Sequence, residues 1–355
     1  MKIIELAREI RNYWSESTRE PQLPRSRQIV EMFALFVRRN IGPRYYLQAR
    51  WGRQSIRFAE KLRHVNRAEY LALIRTMNPE AYQKASQHKL VEKSVLTLMA
   101  LPTPRFIAYI HRTRGRDRDG RPVTTGGQLE EVLKLYVKKR VCFKLVEGWG
   151  GHGFASYDVV EGKSNHLQLV GRRPGSELSV SQWWDGMPED SDGFIVEEYL
   201  HQHADLAALN PSSVNTIRIW VAHDGREWHV LGAYLRIGQK GSEVDNATSG
   251  GITCRVDPQS GVVLEAYDPA NPGRSLDVHP DSGTVLVGMK IPFWADSRNL
   301  AVQGVSSFPH MRLAGLDIAI GPEGPTLIEL NLIPDYIGCA RMDLPLRPWL
   351  EIARA

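Results

Sequence analysis

Two carboxylates and a carboxamide near the C-terminus are spaced for metal chemistry. Residues 316–320 read LDIAI, residues 321–325 read GPEGP, and residues 326–332 read TLIELNL. Gly and Pro supply a turn between two strand-like runs, which predicts a β-hairpin. Centring the hairpin on Glu323 sets Asp317 opposite Glu329, and the two-residue alternation of side chains puts Asn331 on the same face. Leu316, Ile318, Ile320, Ile328, Leu330 and Leu332 then form the core face. Like charges directly across a strand pair repel, so a divalent cation is the simplest partner for Asp317 and Glu329. Oxygen donors of this kind suit Mg²⁺ or Mn²⁺, whose shell is completed by water and phosphate. The same alternation also describes a half-buried hairpin with one solvated face.

A second group lies in VCFKLVEGWGGHGF, residues 141–154, where Lys144 closes an apolar run and Gly148, Gly150, Gly151 and Gly153 follow. Glycines let backbone amides approach phosphate oxygens, and the lysine adds a compact positive charge. The spacing is neither that of the P-loop nor that of the dinucleotide fingerprint, and a Gly-rich hairpin turn has the same composition. A third group, FIVEEYL at 194–200, can offer backbone to an adenine edge and a carboxylate to a ribose, or be a plain edge strand.

These residues need elements to hold them. Up to about Lys93 the pattern is helical: Ile3, Leu6, Ala7, Ile10 and Trp14 recur at helical spacing, as do Ile29, Met32, Phe33 and Phe36. Breaks are expected at Pro21–Arg25, Gly42–Pro43 and Asn78–Pro79. Beyond Leu101–Pro104 the runs become short and β-rich, with one helix expected over Gln128–Lys139 and another near Ala301–Arg312. The expected organisation is a helical region over 1–93, a small α+β unit over 94–204 and a second over 205–355.

The 355 residues, 42% hydrophobic and 24% charged, describe a folded multidomain chain. No apolar run is long enough to span a membrane, and the N-terminal segment has acids where a signal peptide has none; a cytoplasmic protein is expected. Cys142, Cys254 and Cys339 are too few and too scattered for disulfides or a metal cluster, and they read as buried thiols. A net charge of +5 suits nucleic acid, an anionic lipid surface or a cation-lined nucleotide site equally. The one basic run, at 113–122, is interrupted by acids and reads as a solvated loop, so no nucleic-acid partner is expected.

Taken in order, the motifs resemble the ATP-grasp superfamily over roughly residues 85–340. EEYLHQHADLAALNPSSVNTIRIWVA, DNATSGGI and DIAIGPEGPTLIELN are similar to its sugar-transfer associated, or α-L-glutamate-ligase-related, branch. The resemblance implies two α+β subdomains gripping ATP, preceded here by the helical region. It assigns Lys144 to the α- and β-phosphates beneath the 148–153 loop, and Lys89 or Lys93 to the earlier phosphate lysine. Lys89 has the matching distance to Leu101 and Pro102, although His88 and Ala100 replace the family's usual Asp and Gly. Glu197, Glu198, Tyr199 and Leu200 match the adenine hinge, with the Glu198 carbonyl and the Leu200 amide toward the base; Asp205, Gln202 or His203 would serve the ribose. Arg218 matches the arginine on the transferred phosphoryl group, with Asn215 helping to hold it. Asp317, Glu329 and Asn331 match the magnesium ligands, and Asp245, Asn246, Gly250 and Gly251 the acceptor side. The implied reaction joins a carboxylate to an amine through an acyl phosphate. Phosphotransfer to a non-carboxylate group, and nucleotide binding without turnover, are the alternatives.

Overall fold

Proline and glycine divide the N-terminal third into short helices. In the computed structural model, which describes all residues except 1, 17–19, 149–151, 163–165, 174, 246–249 and 355, seven helices come first. They are α1 (Lys2–Ser15), α2 (Arg25–Arg39), α3 (Pro43–Gln48), α4 (Phe58–Lys61), α5 (Arg67–Met77), α6 (Glu80–Gln87) and α7 (Lys89–Leu98). Pro24, Gly42 and Pro79 each immediately precede a helix, as breakers should. Asn66 accepts from the Ala68 and Glu69 amides to start α5, and Glu69 returns the bond in a capping box.

The first sheet holds β1 (Phe106–Ile110), β2 (Arg116–Asp117), β3 (Arg140–Leu145), β4 (Phe154–Glu161), β5 (Leu167–Val170), β6 (Glu177–Ser179) and β7 (Phe194–Glu198), in the order β2-β1-β7-β3-β4-β5-β6. Helices α8 (Gly126–Leu133) and α9 (Val180–Asp185) contribute Leu129, Leu133 and Trp184 to its core. Helix α8 is shorter than its apolar spacing predicts. It tightens into a 3₁₀ turn at Lys134–Tyr136, and Lys138 then adopts a left-handed φ of 65° that cannot continue a helix.

After α10 (Ala204–Ala207), the second sheet holds β8 (Thr216–His223), β9 (Trp228–Ile237), β10 (Ile252–Val256), β11 (Val263–Asp268), β12 (Asn271–Ser275), β13 (Leu313–Gly321) and β14 (Gly324–Asn331). Its order is β12-β11-β10-β9-β8-β13-β14, and every pairing in both sheets is antiparallel. Helix α11 (Trp294–Ser306) packs Leu300, Ala301 and Val305 into the core of this sheet. The chain is therefore α+β, with two antiparallel sheets and a helical N-terminal region. That region shares one core with the second sheet and with α12 (Tyr336–Met342) and α13 (Arg347–Arg354): Trp51, Tyr46 and Tyr70 pack with Trp220, Tyr234, Cys339 and Leu350. The three cysteines are buried thiols.

The predicted C-terminal hairpin forms as β13 and β14, with a different centre. The turn contains two residues, Pro322 and Glu323, between paired Gly321 and Gly324. That register would set Asp317 opposite Ile328, but it shifts between Asp317 and Ile318 and leaves Asp317 opposite Glu329. Ile328 is the extra residue, so Leu327 takes the expected core place and Ile328 turns to the cavity described next.

Candidate active site

Strand β13 is buried along its whole length, and Asp317 is its one charged residue. Three neighbouring strands set one row across the sheet: Arg218 on β8, Asp317 on β13 and Glu329 on β14 are direct cross-strand partners. One side-chain period along, Arg236 on β9 lies opposite Thr216 on β8. Arg218 donates to both Asp317 oxygens, at 3.0 Å from Nη2 to Oδ2 and closely from Nε to Oδ1. Arg236 Nη2 reaches the same Oδ2 at 2.8 Å. Burial pushes the Asp317 pKa up, yet the two guanidinium groups hold it below the usual carboxylate range. The charge of Asp317 is therefore already met within the protein. Electrostatic repulsion alone, the ground on which the sequence pointed to a metal, does not require one.

Asp245 completes this end. Its Oδ2 accepts from the Thr216 amide at 2.9 Å and hydroxyl at 2.5 Å, and Arg236 Nε lies 3.5 Å away. Burial raises its pKa despite Arg236. Arg236 in turn donates to the Thr216 hydroxyl oxygen at 3.0 and 2.6 Å, so Thr216 relays between arginine and aspartate.

Two lysines enter from the first sheet and the helices. Lys144, near the end of β3, lies 2.6 Å from Glu197 on β7, whose other oxygen is held by Lys93 of α7. Burial works against ionised Glu197, which is 1% exposed, but Lys144 and Lys93 hold its pKa down. Lys89, at the start of α7, donates to the Gly148 carbonyl at 2.7 Å and lies 3.8 Å from Glu329. It therefore ties the glycine-rich loop to the hairpin. Gly153 returns that loop into β4 with φ +71°, and a Cβ there would meet Leu145 at 2.5 Å, which explains the glycine. At the opposite end, the Tyr199 amide is bound by the Arg140 carbonyl at 3.1 Å, and Arg140 and Arg172 flank its ring.

One cavity of about 240 Å³ runs between these elements, from Glu197, Glu198, Tyr199 and Leu200 at one end to Arg218, Asp317, Glu329 and Asn331 at the other. A family model described as sugar-transfer associated ATP-grasp matches residues 68–342. The chain belongs to this ATP-grasp family. Among solved structures it is similar to N5-carboxyaminoimidazole synthase from Aspergillus clavatus in complex with ADP and 5-aminoimidazole ribonucleotide, at 10% identity and a TM-score of 0.41, covering 76% of this chain and 51% of that one. L-amino acid ligase from Bacillus licheniformis matches at 13% and 0.40, covering 76% and 48%, and D-alanyl-alanine synthetase A from Vibrio cholerae at 11% and 0.40, covering 73% and 59%. This chain thus spans less than two thirds of each of those three. No curated protein matches.

Against the expectations for an ATP-grasp site, the cavity brings together Lys89, Lys144, residues 197–200, Arg218, Asp245, Asp317, Glu329 and Asn331. Gly150, Gly151 and Asn246 lie outside the described residues. Lys93 is not part of the lining: besides Glu197 it binds Thr103 Oγ1 at 2.5 Å and the Pro104 carbonyl at 2.8 Å. Neither is Asn215, which is fully buried and donates from Nδ2 to Gln202, Leu206 and Asn210, bracing the chain around α10. Asp205 stands in solvent beside His203, and Gln202 is spent on Asn210, Ser213 and Asn215. Gly153, Gly250 and Gly251 also fall outside the lining, Gly250 in a turn with φ +83°.

The cavity adds Arg236, Thr216, Glu243, Cys142, Phe154 and Ile328. Arg236 had no local signal: a turn pairing His223 with Trp228 would set Leu235 opposite Thr216, and the register shift between Trp220 and Val221 brings Arg236 there instead, on the face of Arg218. The three expected metal ligands offer only hard oxygen donors. The buried Nδ2 of Asn331 has no hydrogen-bond partner, so this NH2 group calls for an acceptor the protein does not supply, as a phosphate oxygen would be, while the Oδ1 atom is the one that can ligate a metal. The Asp317 carboxylate, with three N–H contacts, keeps room for one more. These residues fit a magnesium ion.

Proposed function

We propose that this chain is an ATP-dependent carboxylate–amine ligase working through an acyl phosphate. The observation that carries the proposal is the cavity itself: a strand-end hinge at one end, two lysines along it, and the Arg218–Asp317–Glu329 row with Arg236 at the other. ATP lies with its base against the Glu198 carbonyl and the Leu200 amide, and its α- and β-phosphates against Lys144 and Lys89. The unit over 94–204 acts as the lid, and the unit over 205–355 carries the arginines and acids.

Asp317, Glu329 and Asn331 would hold a magnesium ion, which would supply positive charge to offset that of the nucleotide phosphates. A carboxylate oxygen of the acid substrate attacks the γ-phosphorus; the O–P bond forms as the bond to the β–γ bridging oxygen breaks and ADP leaves. Arg218 and Arg236, already fixed by Asp317, stabilise the charge on the transferred phosphoryl oxygens without reorganising. An amine nitrogen then attacks the acyl carbon, the C–O bond to phosphate breaks, and the nitrogen loses a proton to give the amide. Asp245, with Gly250 and Gly251, stands on the acceptor side.

ADP release should be measured across a panel of acids and amines, with hydroxylamine as a trap. A hydroxamate that requires both ATP and an acid supports the acyl phosphate. ADP accompanied by a phosphorylated hydroxyl product and no hydroxamate would make the enzyme a phosphotransferase. No ADP release with any pair would leave nucleotide binding without turnover.

A further inference from the structure

Helix α2 has two apolar faces, and the fold uses one. Met32 and Leu35 enter the core, with Gln28 and Glu31 buried beside them. Ile29, Val30, Phe33, Phe36 and Val37 are each more than half exposed. At 100° per residue these five side chains occupy a continuous arc of about 120° on the outer side of the helix. Their exposure is no consequence of fraying, since Asn40 closes the helix C-terminus with bonds to the Leu35 and Phe36 carbonyls.

The charges around this arc identify its partner. Exposed Arg25 borders one edge of the arc, and exposed Arg27 and Arg38 border the other. Arg25 is oriented by the Trp14 carbonyl at 3.2 Å, and Arg27 by Glu31 at 3.2 Å, and both remain exposed. The only acid of the helix, Glu31, is buried, where Lys61 at 2.6 Å and Tyr46 at 3.2 Å also bind it. The outer side is thus apolar in the middle and cationic at both edges. A second copy docking about a twofold axis would oppose arginine rows to each other, which costs affinity. An anionic bilayer surface matches both components: acyl chains accept the apolar arc, and lipid phosphates accept the flanking guanidinium groups. With 15 residues the helix is about 22 Å long, short of a membrane span, and no described helix is long and apolar enough to cross one.

We propose that α2 lies in the plane of an anionic membrane surface and attaches the protein there peripherally, with Phe33 and Phe36 as its main apolar contacts. The test is co-sedimentation of the full chain with vesicles of phosphatidylcholine alone and of phosphatidylcholine mixed with phosphatidylglycerol. Binding should require the anionic lipid and fall with salt. The double variant Phe33→Ser, Phe36→Ser should bind at least about tenfold more weakly, with an unchanged unfolding midpoint because both side chains are exposed. Arg27→Gln with Arg38→Gln should weaken binding and flatten its salt dependence. Equal sedimentation with both vesicle types, no sedimentation, or undiminished binding by the serine variant would overturn the proposal. So would a concentration-dependent dimer, seen by light scattering, that the serine variant dissolves, because the face would then belong to a second copy.

Discussion

Replacing Glu329 by glutamine keeps its volume and removes one charge from the hairpin, which separates chemistry from folding. The Glu329 side chain is 34% exposed and lies 3.8 Å from Lys89, an arrangement that contributes about 0–1 kcal/mol at a partly solvated site. In a protein of this size that moves the unfolding midpoint by no more than about 2–4 °C. Turnover should respond far more strongly. Losing one preorganised group that acts on transition-state charge costs on the order of 10²–10³-fold, about 3–4 kcal/mol. If Glu329 holds magnesium, the variant should also need a higher Mg²⁺ concentration for half-maximal ADP release. The assay is ADP release against Mg²⁺ concentration, with the unfolding midpoint measured on the same samples. Wild-type turnover and Mg²⁺ dependence would refute the ligand assignment. Lost turnover with an equally large loss of stability would make Glu329 structural.

Asp317→Asn should behave differently: it strands buried Arg218 and largely buried Arg236 and should destabilise the fold by about 3–5 kcal/mol in chemical denaturation. An unchanged denaturation midpoint would mean that Arg218 and Arg236 have other partners. Arg218→Lys keeps a charge beside Asp317 but loses the planar fork. Turnover should drop about 10²-fold with ATP affinity nearly unchanged by calorimetry, and equal losses of both would make Arg218 a nucleotide contact. Far from the cavity, partial burial works to raise the Glu265 pKa, but Arg53, Arg50 and Arg255 hold it down at about 2 against 4.5 ordinarily. A depressed pKa contributes stability that is complete above the unfolded value and lost as pH falls from about 4.5 toward 2, some 3 kcal/mol in all. Glu265→Gln should flatten that acidic limb in urea unfolding measured across pH, and an unaltered limb would assign it to other carboxylates.

Much of the site was legible because strand alternation and turn composition are local properties. The segments 316–320 and 326–332 announce a hairpin, and within the second Glu329 and Asn331 share a face by alternation alone. The register needed more. A two-residue turn alone would put Ile328 opposite Asp317, and the bulge at Ile328 restores Glu329 to that place. A bulge depends on how both strands pack, so composition could indicate the pairing without its cause. Parity explains Asn215 in the same way. Thr216 and Arg218 differ by an even step and share the cavity face, whereas Asn215 differs from Arg218 by an odd step and braces the loops behind. Helical spacing sets Lys93 on the same side of α7 as Lys89, but it cannot show that Glu197 waits there to take its charge.

The hardest residue to interpret from sequence was Asp317, because its chemistry depends on strands that are distant in the chain. Facing Glu329 alone, it is half of a repulsive pair that calls for a metal. With Arg218 opposite and Arg236 one period away, it anchors two guanidinium groups that would otherwise lose their orientation. The two roles make different demands on one carboxylate. Holding the arginines takes three N–H contacts and leaves a single lone pair facing the cavity, so Glu329 and Asn331 must carry most of any metal coordination. Removing Glu329 should therefore shift the Mg²⁺ requirement with little effect on folding, and removing Asp317 should unsettle the arginines first and the metal second. The order of those two effects, read from Mg²⁺ titrations and denaturation of both variants, separates an arginine anchor from a primary ligand.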